Sequence, residues 1–492
     1  MNTFVRICCV GLILLLWAAQ TFAQPDSAWS KSYGGLGNDD CHKVVATSDG
    51  GFALAGTTTS FGSGIQDIWL LKANANGDSM WSRTFGGTSD DQGKVVLETL
   101  DNGLLVGGGT SSSGSGGMDM MIVKTDSDGN TEWSQVIGGT GSDICYSAVQ
   151  TTDSGYAVAG VLSPTGMSSN FGLVKLSASG AILWSRSFGG AGIEICNSIQ
   201  QTSDGGYILG GFTNSFGLGN FDYWLLKTDA NGDSMWSRTL GTPLSDTGTS
   251  VVQSSDGGYV IAGYANSGGA LGIQFLVFKT NSSGTSQWAR GFGGTMTDRC
   301  NSIQQSQDGG YFLIGTYNND FGLLKIASNG DSLWLSTVRG SNADEAFGLA
   351  ETVDGGLALA GVTNSFGAGA TDMWLAKLQL CTNMAPLAPE LVVIPEGNNI
   401  RLSWNPISES VEGCYLNVTG YLLWYSPTTE GPYYFLDYTT DTTHVHTGVV
   451  AFSTGMHYYA ETYVGDPIAL QSLPHNPVSR FTREQIQQML NH

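Results

Sequence analysis

Seven tryptophans, Trp29, Trp81, Trp133, Trp184, Trp236, Trp288 and Trp334, recur along the chain at separations of 52, 52, 51, 52, 52 and 46 residues. Each opens a segment such as WSRTFGG. A strand such as NSIQQTSDGG follows, then GYILGGFT, a loop NSFGLGNFD, a third strand YWLLKTD and a hairpin ANGD that leads into the next Trp. Short apolar or alternating runs separated by Gly/Asn/Asp turns predict one four-stranded antiparallel sheet per unit. A lone sheet of this size leaves apolar faces in water, and radial stacking of like sheets covers them. The ends fit closure. The repeats begin with an orphan Trp strand near residues 28–34 and end with three strands, residues 344–378, that lack a fourth. The expected fold is therefore all-β: a seven-bladed β-propeller over residues 28–378, closed by its N-terminal strand.

Within each predicted blade the strand before the DGG turn is expected to be innermost and the Trp strand outermost. Loops leaving the Trp strand and loops joining the second and third strands then share one rim. The opposite rim carries only tight DGG and ANGD-type turns. The longer, variable loops make the first rim the expected binding surface. Its shortest loop, TYNND at 316–320, predicts a local dip at the sixth blade.

Composition narrows the partners. The 492 residues hold 42 acidic side chains against 20 basic ones, a formal net charge of −22, which argues against a nucleic-acid or anionic-membrane partner. In residues 1–23, Arg6 precedes an apolar run and Thr21-Phe22-Ala23 offers small residues for cleavage. This predicts a signal peptide, Gln24 as the mature start, and a secreted or cell-surface protein with no transmembrane segment after cleavage. Cys41, Cys145, Cys196 and Cys300 share one repeat position, filled elsewhere by Gly93, Gly248 and Ala346. A slot restricted to Cys, Gly or Ala predicts tight packing around buried thiols. Cys381 and Cys414 could form a disulfide in an oxidising compartment.

Five repeated series invite a functional reading. Asp39, Asp91, Asp143, Glu194, Asp246, Asp298 and Asp344 precede the DGG turns, and Lys72, Lys124, Lys175, Lys227, Lys279, Lys325 and Lys377 end the third strands. Each Lys is expected to pair with an acid of its own or a neighbouring blade. The acidic ring could instead hold a cation, with calcium the ion to consider; no other cofactor is expected. A second acidic series, Asp67, Asp119, Asp222, Asp320 and Asp372, with Asn170 and Gln274 in the other blades, is expected to cap turns. On the inner strands, His42, Lys94, Tyr146, Asn197, Thr249, Asn301 and Phe347 form one series. Glu98, Gln150, Gln201, Gln253, Gln305 and Glu351 form another, with Ala46 in the first blade. A two-residue period puts both on one side of the strand, facing a polar central channel. His42, Lys94, Tyr146, Asn197 and Asn301, with the four glutamines, are the candidate ligand-binding residues. No nucleophile–base–orienter set accompanies them, so no catalytic residue is assigned.

Residues 379–389 form a Pro-bearing linker, 390–470 carry short aromatic-rich strands expected to make a small antiparallel sandwich, and 471–492 form a polar tail. The segment from Asp204 to Trp236 resembles the propeller-type repeats of secreted bacterial proteins. Its Lys227-to-Trp236 part is also distantly similar to quinoprotein-like propellers, whose cofactor site has no counterpart among these residues. Ile400–Trp404, Gly420–Tyr425 and His457–Tyr463 resemble the B, C and F strands of fibronectin type III domains, which implies a spacer or attachment module. The expected function is a secreted binding or scaffold protein that presents its propeller rim to an extracellular glycan or protein. A polysaccharide-acting hydrolase or lyase, and a purely structural cell-envelope component, are the alternatives.

Overall fold

A computed structural model describes residues 26–163, 168–266, 272–294 and 296–380, together with 392–396, 399–404, 420–426, 434–439, 443–446 and 457–463. The leader, most of the linker, the tail, Cys381 and Cys414 lie outside the described residues.

The protein is an all-β seven-bladed propeller. Blade 1 runs from its inner strand Asp39–Ala46 through Phe52–Thr58 and Asp67–Ala73 to the outer strand Ser79–Phe85, each strand antiparallel to the next. The inner strands of blades 2 to 7 are Asp91–Glu98, Ile144–Gln150, Glu194–Gln201, Asp246–Gln253, Arg299–Gln305 and Asp344–Glu351. Blade 7 supplies only three strands from its own repeat. The N-terminal strand Asp26–Tyr33 pairs with Asp372–Gln379 and completes that sheet. The closure also fuses the core of the two ends: Val44, Phe52 and Leu71 of blade 1 pack with Ala360, Met373 and Leu375 of blade 7.

The tryptophans that mark the repeat lie on exposed outer strands and hold neighbouring blades together. Trp29, Trp184 and Trp236 pack against Phe52, Tyr207 and Tyr259 of the following blade, with centroids 5.7, 6.2 and 5.7 Å apart. Against every ring but that of Trp334 lies the next blade's hairpin glycine. Gly129 has φ of 79°, and a Cβ there would strike Trp81, so only glycine meets both the left-handed backbone and the close approach. Arg83, Arg186, Arg238 and Arg290 lie 5.2–5.9 Å over the rings of Trp81, Trp184, Trp236 and Trp288.

Cys41, Cys145, Cys196 and Cys300 are fully buried free thiols. Burial pushes Cys145 up to about 12 and raises the others as well, which leaves them as small inert packing groups. The space around this slot is backbone: a Cβ on Gly93 would run into the carbonyl of Gly56 in the preceding blade.

After residue 391 two three-stranded sheets are described. In one, Asn399–Ser403 lies between Val392–Glu396 and Thr443–His446; in the other, Gly420–Ser426 lies between Tyr434–Thr439 and His457–Tyr463. The Trp404 ring meets Tyr421 edge-on at 5.1 Å, beside buried Leu402 and Leu423. Among the described residues no helix is long and apolar enough to cross a membrane.

Candidate functional site: the channel and its loop-rich mouth

The turn rim is a ring of seven like ion pairs. Each third-strand lysine reaches the aspartate of its own blade's DGG-type turn. Lys72 meets Asp49 at 2.8 Å, Lys124 meets Asp101 at 3.0 Å, Lys175 meets Asp153 at 3.0 Å and Lys227 meets Asp204 at 2.9 Å. Lys279–Asp256 and Lys325–Asp308 follow at 2.8 and 2.7 Å, and Lys377 pairs with Asp354. Own-blade pairing is therefore realised, but the partner is the turn aspartate rather than the acid that opens the inner strand. The lysine side chains are only 2–12% exposed, whereas the aspartates are about half exposed. Burial opposes ionisation of Asp49 and Asp204, but bonds from the lysine, the turn threonine and a glycine N–H outweigh it and hold both at about 2.

The acids that open the inner strands serve the other rim. Asp39 accepts hydrogen bonds from the Gly35 N–H at 2.7 Å, the Ser60 hydroxyl at 2.6 Å and the Thr58 hydroxyl. Asp91 repeats the set with Gly87, Ser112 and Thr110. Asp143 and Glu194 take the Gly139 and Gly190 N–H groups at 2.9 Å, Asp246 takes Thr242, and Asp298 takes Gly294 and Asn318. Asp344 accepts from Thr363, Asn364 and Ser365. The seven carboxylates are thus distributed one per blade as loop anchors rather than gathered into one donor set. Among the described residues no three His, Cys, Asp or Glu side chains are placed to share a metal.

The two acidic series, read separately in the sequence, meet at the blade joints. A Cβ on Gly138 would overlap both Asp119 and Asp143; one on Gly34 would overlap Asp372 and Asp39; one on Gly241 would strike Asp222 and Asp246. Burial, reinforced by the neighbouring carboxylate, raises Asp119 and Asp372. Asp372 Oδ1 and Asn170 Oδ1 are buried and accept no hydrogen bond from the described residues. The signal was available: the members of a joint stand 24 residues apart, as in Asp67/Asp91, Asp119/Asp143, Asn170/Glu194 and Asp222/Asp246.

The inner strands line a central channel. In every one, the pairing register slips at the same place, between Cys41 and Lys43 in blade 1 and between Ala346 and Gly348 in blade 7. The bulged residues are His42, Lys94, Tyr146, Asn197, Thr249, Asn301 and Phe347, and all seven line the channel. This bulge corrects the expectation that both inner-strand series share a side. One extra residue shifts the two-residue period, so positions four apart across it no longer coincide in facing. Gln150, Gln201, Gln253 and Gln305 instead lie at the turn rim. There each accepts the backbone N–H of the preceding blade's turn, from Leu100, Thr152, Ser203 and Ser255, at 2.8–3.0 Å. Glu98 does the same with Ser48. These side chains stitch blades together.

Three of the bulged side chains are spent the same way. Asn197, Thr249 and Asn301 donate to the carbonyls of Gly248, Cys300 and Ala346 in the next blade at 2.8–2.9 Å. The remaining four break the symmetry. Lys94 Nζ lies 3.0 Å from His42 Nε2, and His42 packs against Phe347 with centroids 5.2 Å apart. Burial, together with the Lys94 charge, lowers His42 to about 3 and keeps its ring neutral. Tyr146 lines the same space.

At the loop rim this channel opens into a mouth of about 340 Å³ flanked by Phe212 and Tyr264, with a second recess of about 410 Å³ beside it. Asp40, Arg299, Asn319 and Glu345 border the recess, which lies over the sixth and seventh blades. The sixth blade's second and third strands are joined by Asn318 and Asn319 alone, both at positive φ (52° and 69°), as a two-residue hairpin demands. The expected dip therefore exists. Arg299 stacks over Tyr264 at 5.5 Å. Around the mouth the rim loops expose Leu36, Ile65, Leu218 and Met296.

No protein-family model and no curated protein matches the chain. Among solved structures, the Pan2 WD40 domain of Neurospora crassa is similar, with 11% identity, TM-score 0.46, and coverage of 71% of this chain and 96% of that one. Sqt1 from Chaetomium thermophilum gives 13% identity and TM-score 0.42 over 69% of this chain and 82% of that one. Quinohemoprotein alcohol dehydrogenase from Comamonas testosteroni gives 10% identity and TM-score 0.39 over 74% and 78%.

Proposed function

We propose that the protein is a non-enzymatic binding protein whose loop rim receives an extracellular glycan or protein partner at the channel mouth. The observation that carries this reading is where the repeat is broken. Lysines of the third strands and acids that open the inner strands recur in all seven blades, and arginines of the Trp strands in four. His42, Lys94, Tyr146, Phe347, Arg299 and Tyr264 do not recur, and they converge on one opening. A specific ligand requires an asymmetric site, and exposed apolar side chains around it add contact area. The two sheets beyond residue 391 would belong to a fibronectin type III-like spacer across 390–470, and residues 1–23 would direct export to the exterior or the cell surface.

Arrays of glycans and of envelope proteins, probed with the full mature chain, test this reading. A bound partner that is released by Tyr264→Ser with Arg299→Ser supports it. Absence of any partner for folded protein, or binding indifferent to both substitutions, contradicts it.

A further inference from the structure

Below the mouth the channel holds a chamber of about 320 Å³, within the roughly 300–1,000 Å³ range of small-molecule sites. Its lining runs against the chain's composition. Acidic residues outnumber basic ones 42 to 20, yet Lys43, Lys94 and His42 line this space and no Asp or Glu does.

The basic residues of the propeller are otherwise accounted for. Seven lysines are paired at the turn rim, and four arginines lie on tryptophans. Lys31 pairs with Asp78 at 3.2 Å and Arg339 with Asp320 at 3.4 Å. That leaves Arg299 at the mouth and Lys43 and Lys94 in the chamber. Lys94 has the neutral His42 ring as its acceptor, and burial lowers its pKa while the Asp40 charge at the recess opposes that. The Lys43 ammonium has no hydrogen-bond or ion-pair partner among the described residues, although burial disfavours its charged form. The Tyr146, Ser250 and Ser302 hydroxyls also line the chamber without partners among the described residues. An ammonium largely withdrawn from water, ringed by free hydroxyl donors and facing no carboxylate, calls for an anionic acceptor.

We propose that the chamber is a site for a small oxyanion, a carboxylate or phosphate carried on a ligand of monosaccharide size, with Lys43 as its anchoring cation. The proposal rests on the channel being the binding surface and names the chemistry of the group that enters it. Lys43 gives the charge, Tyr146 and the serines supply O–H donors, and the neutral His42 keeps Lys94 oriented.

Calorimetric titration of the full mature chain with glucuronate, inorganic phosphate and neutral glucose tests it. Glucuronate or phosphate should bind at one site per chain while glucose does not; the anion that binds identifies the source. Lys43→Met should weaken that binding about tenfold or more. Lys43→Arg should stay within about threefold, and Lys31→Met, on the outer strand, should match the unaltered chain. Thermal melts of each variant establish that it is folded. Failure of both oxyanions to bind the folded chain, or Lys43→Met binding like the unaltered chain, overturns the proposal. An array partner that depends on Tyr264 and Arg299, but tolerates Lys43→Met, would leave the mouth as a binding site and remove the oxyanion chamber.

Discussion

At the turn rim every blade carries the same buried lysine held by the same turn aspartate, whereas at the loop rim the joints differ. Some pair two carboxylates, as at Asp119/Asp143 and Asp222/Asp246; others pair an amide with an acid, as at Asn170/Glu194. The turn rim pairs each third-strand lysine within its own blade. The loop rim keeps like charges together, leaves buried oxygens at Asp372 and Asn170 without donors among the described residues, and surrounds an asymmetric opening. One repeat thus carries two patterns. Positions that hold a blade together repeat, and positions around the channel mouth diverge.

Breaking one turn-rim pair is expected to have the largest effect. Asp204→Ala leaves the Lys227 ammonium, 3% exposed, with the Thr228 carbonyl at 2.8 Å and the weakly accepting Met235 sulfur at 4.0 Å. The expected loss in denaturant unfolding is about 3 kcal/mol, the low end for breaking a buried pair because the aspartate is half exposed. Lys227→Met combined with Asp204→Ala should recover most of it, since an apolar stem in that slot has no charge to satisfy. A double variant as unstable as the single one would show that the pair is not the cause.

A smaller effect of opposite sign is expected at the loop rim. Burial, with Asp39 adding to it, raises the Asp372 pKa above its unfolded value, so its charged form weakens the fold at neutral pH. Asp372→Asn should therefore stabilise by about 1 kcal/mol, keeping an acceptor for the Gly369 N–H and offering a donor towards Asp39. The gain should shrink as pH falls and the native carboxyl takes up its proton. Asp204 has the reverse sign. Held at about 2, it contributes stability fully above its unfolded value of about 4 and loses it as pH falls towards 2. Stability curves of the two variants against pH should diverge at neutral pH and converge in acid.

Much of this division was legible in the sequence. Seven tryptophans and a missing last strand determined the propeller and its closure, because period and chain ends leave few alternatives. The loop lengths located the rim, and the two-residue Asn318–Asn319 link located its dip. The channel was harder. A repeat conserves its own irregularities, so a bulge present in all seven inner strands looks like ordinary spacing. It separated His42 and Lys94 from Gln150 and Gln201, which were expected on the same side. The lysines had three acidic series to choose from, and only the hairpin geometry that returns Lys72 to Asp49 selects among them. The unpartnered Lys43 carried no sequence signal, since its isolation depends on six other blades.

The smallest stability change is expected at the mouth, where Tyr264→Ser and Arg299→Ser should each leave unfolding within about 0.5 kcal/mol of the unaltered chain. Those same side chains give the central test. The affinity of an array-identified partner should be measured side by side for the Tyr264→Ser/Arg299→Ser chain and for the Lys227→Met/Asp204→Ala chain. Loss of binding in the first with full affinity in the second is the predicted result. Equal affinity in both, or loss confined to the turn-rim variant, would contradict a division between a structural rim and a binding mouth.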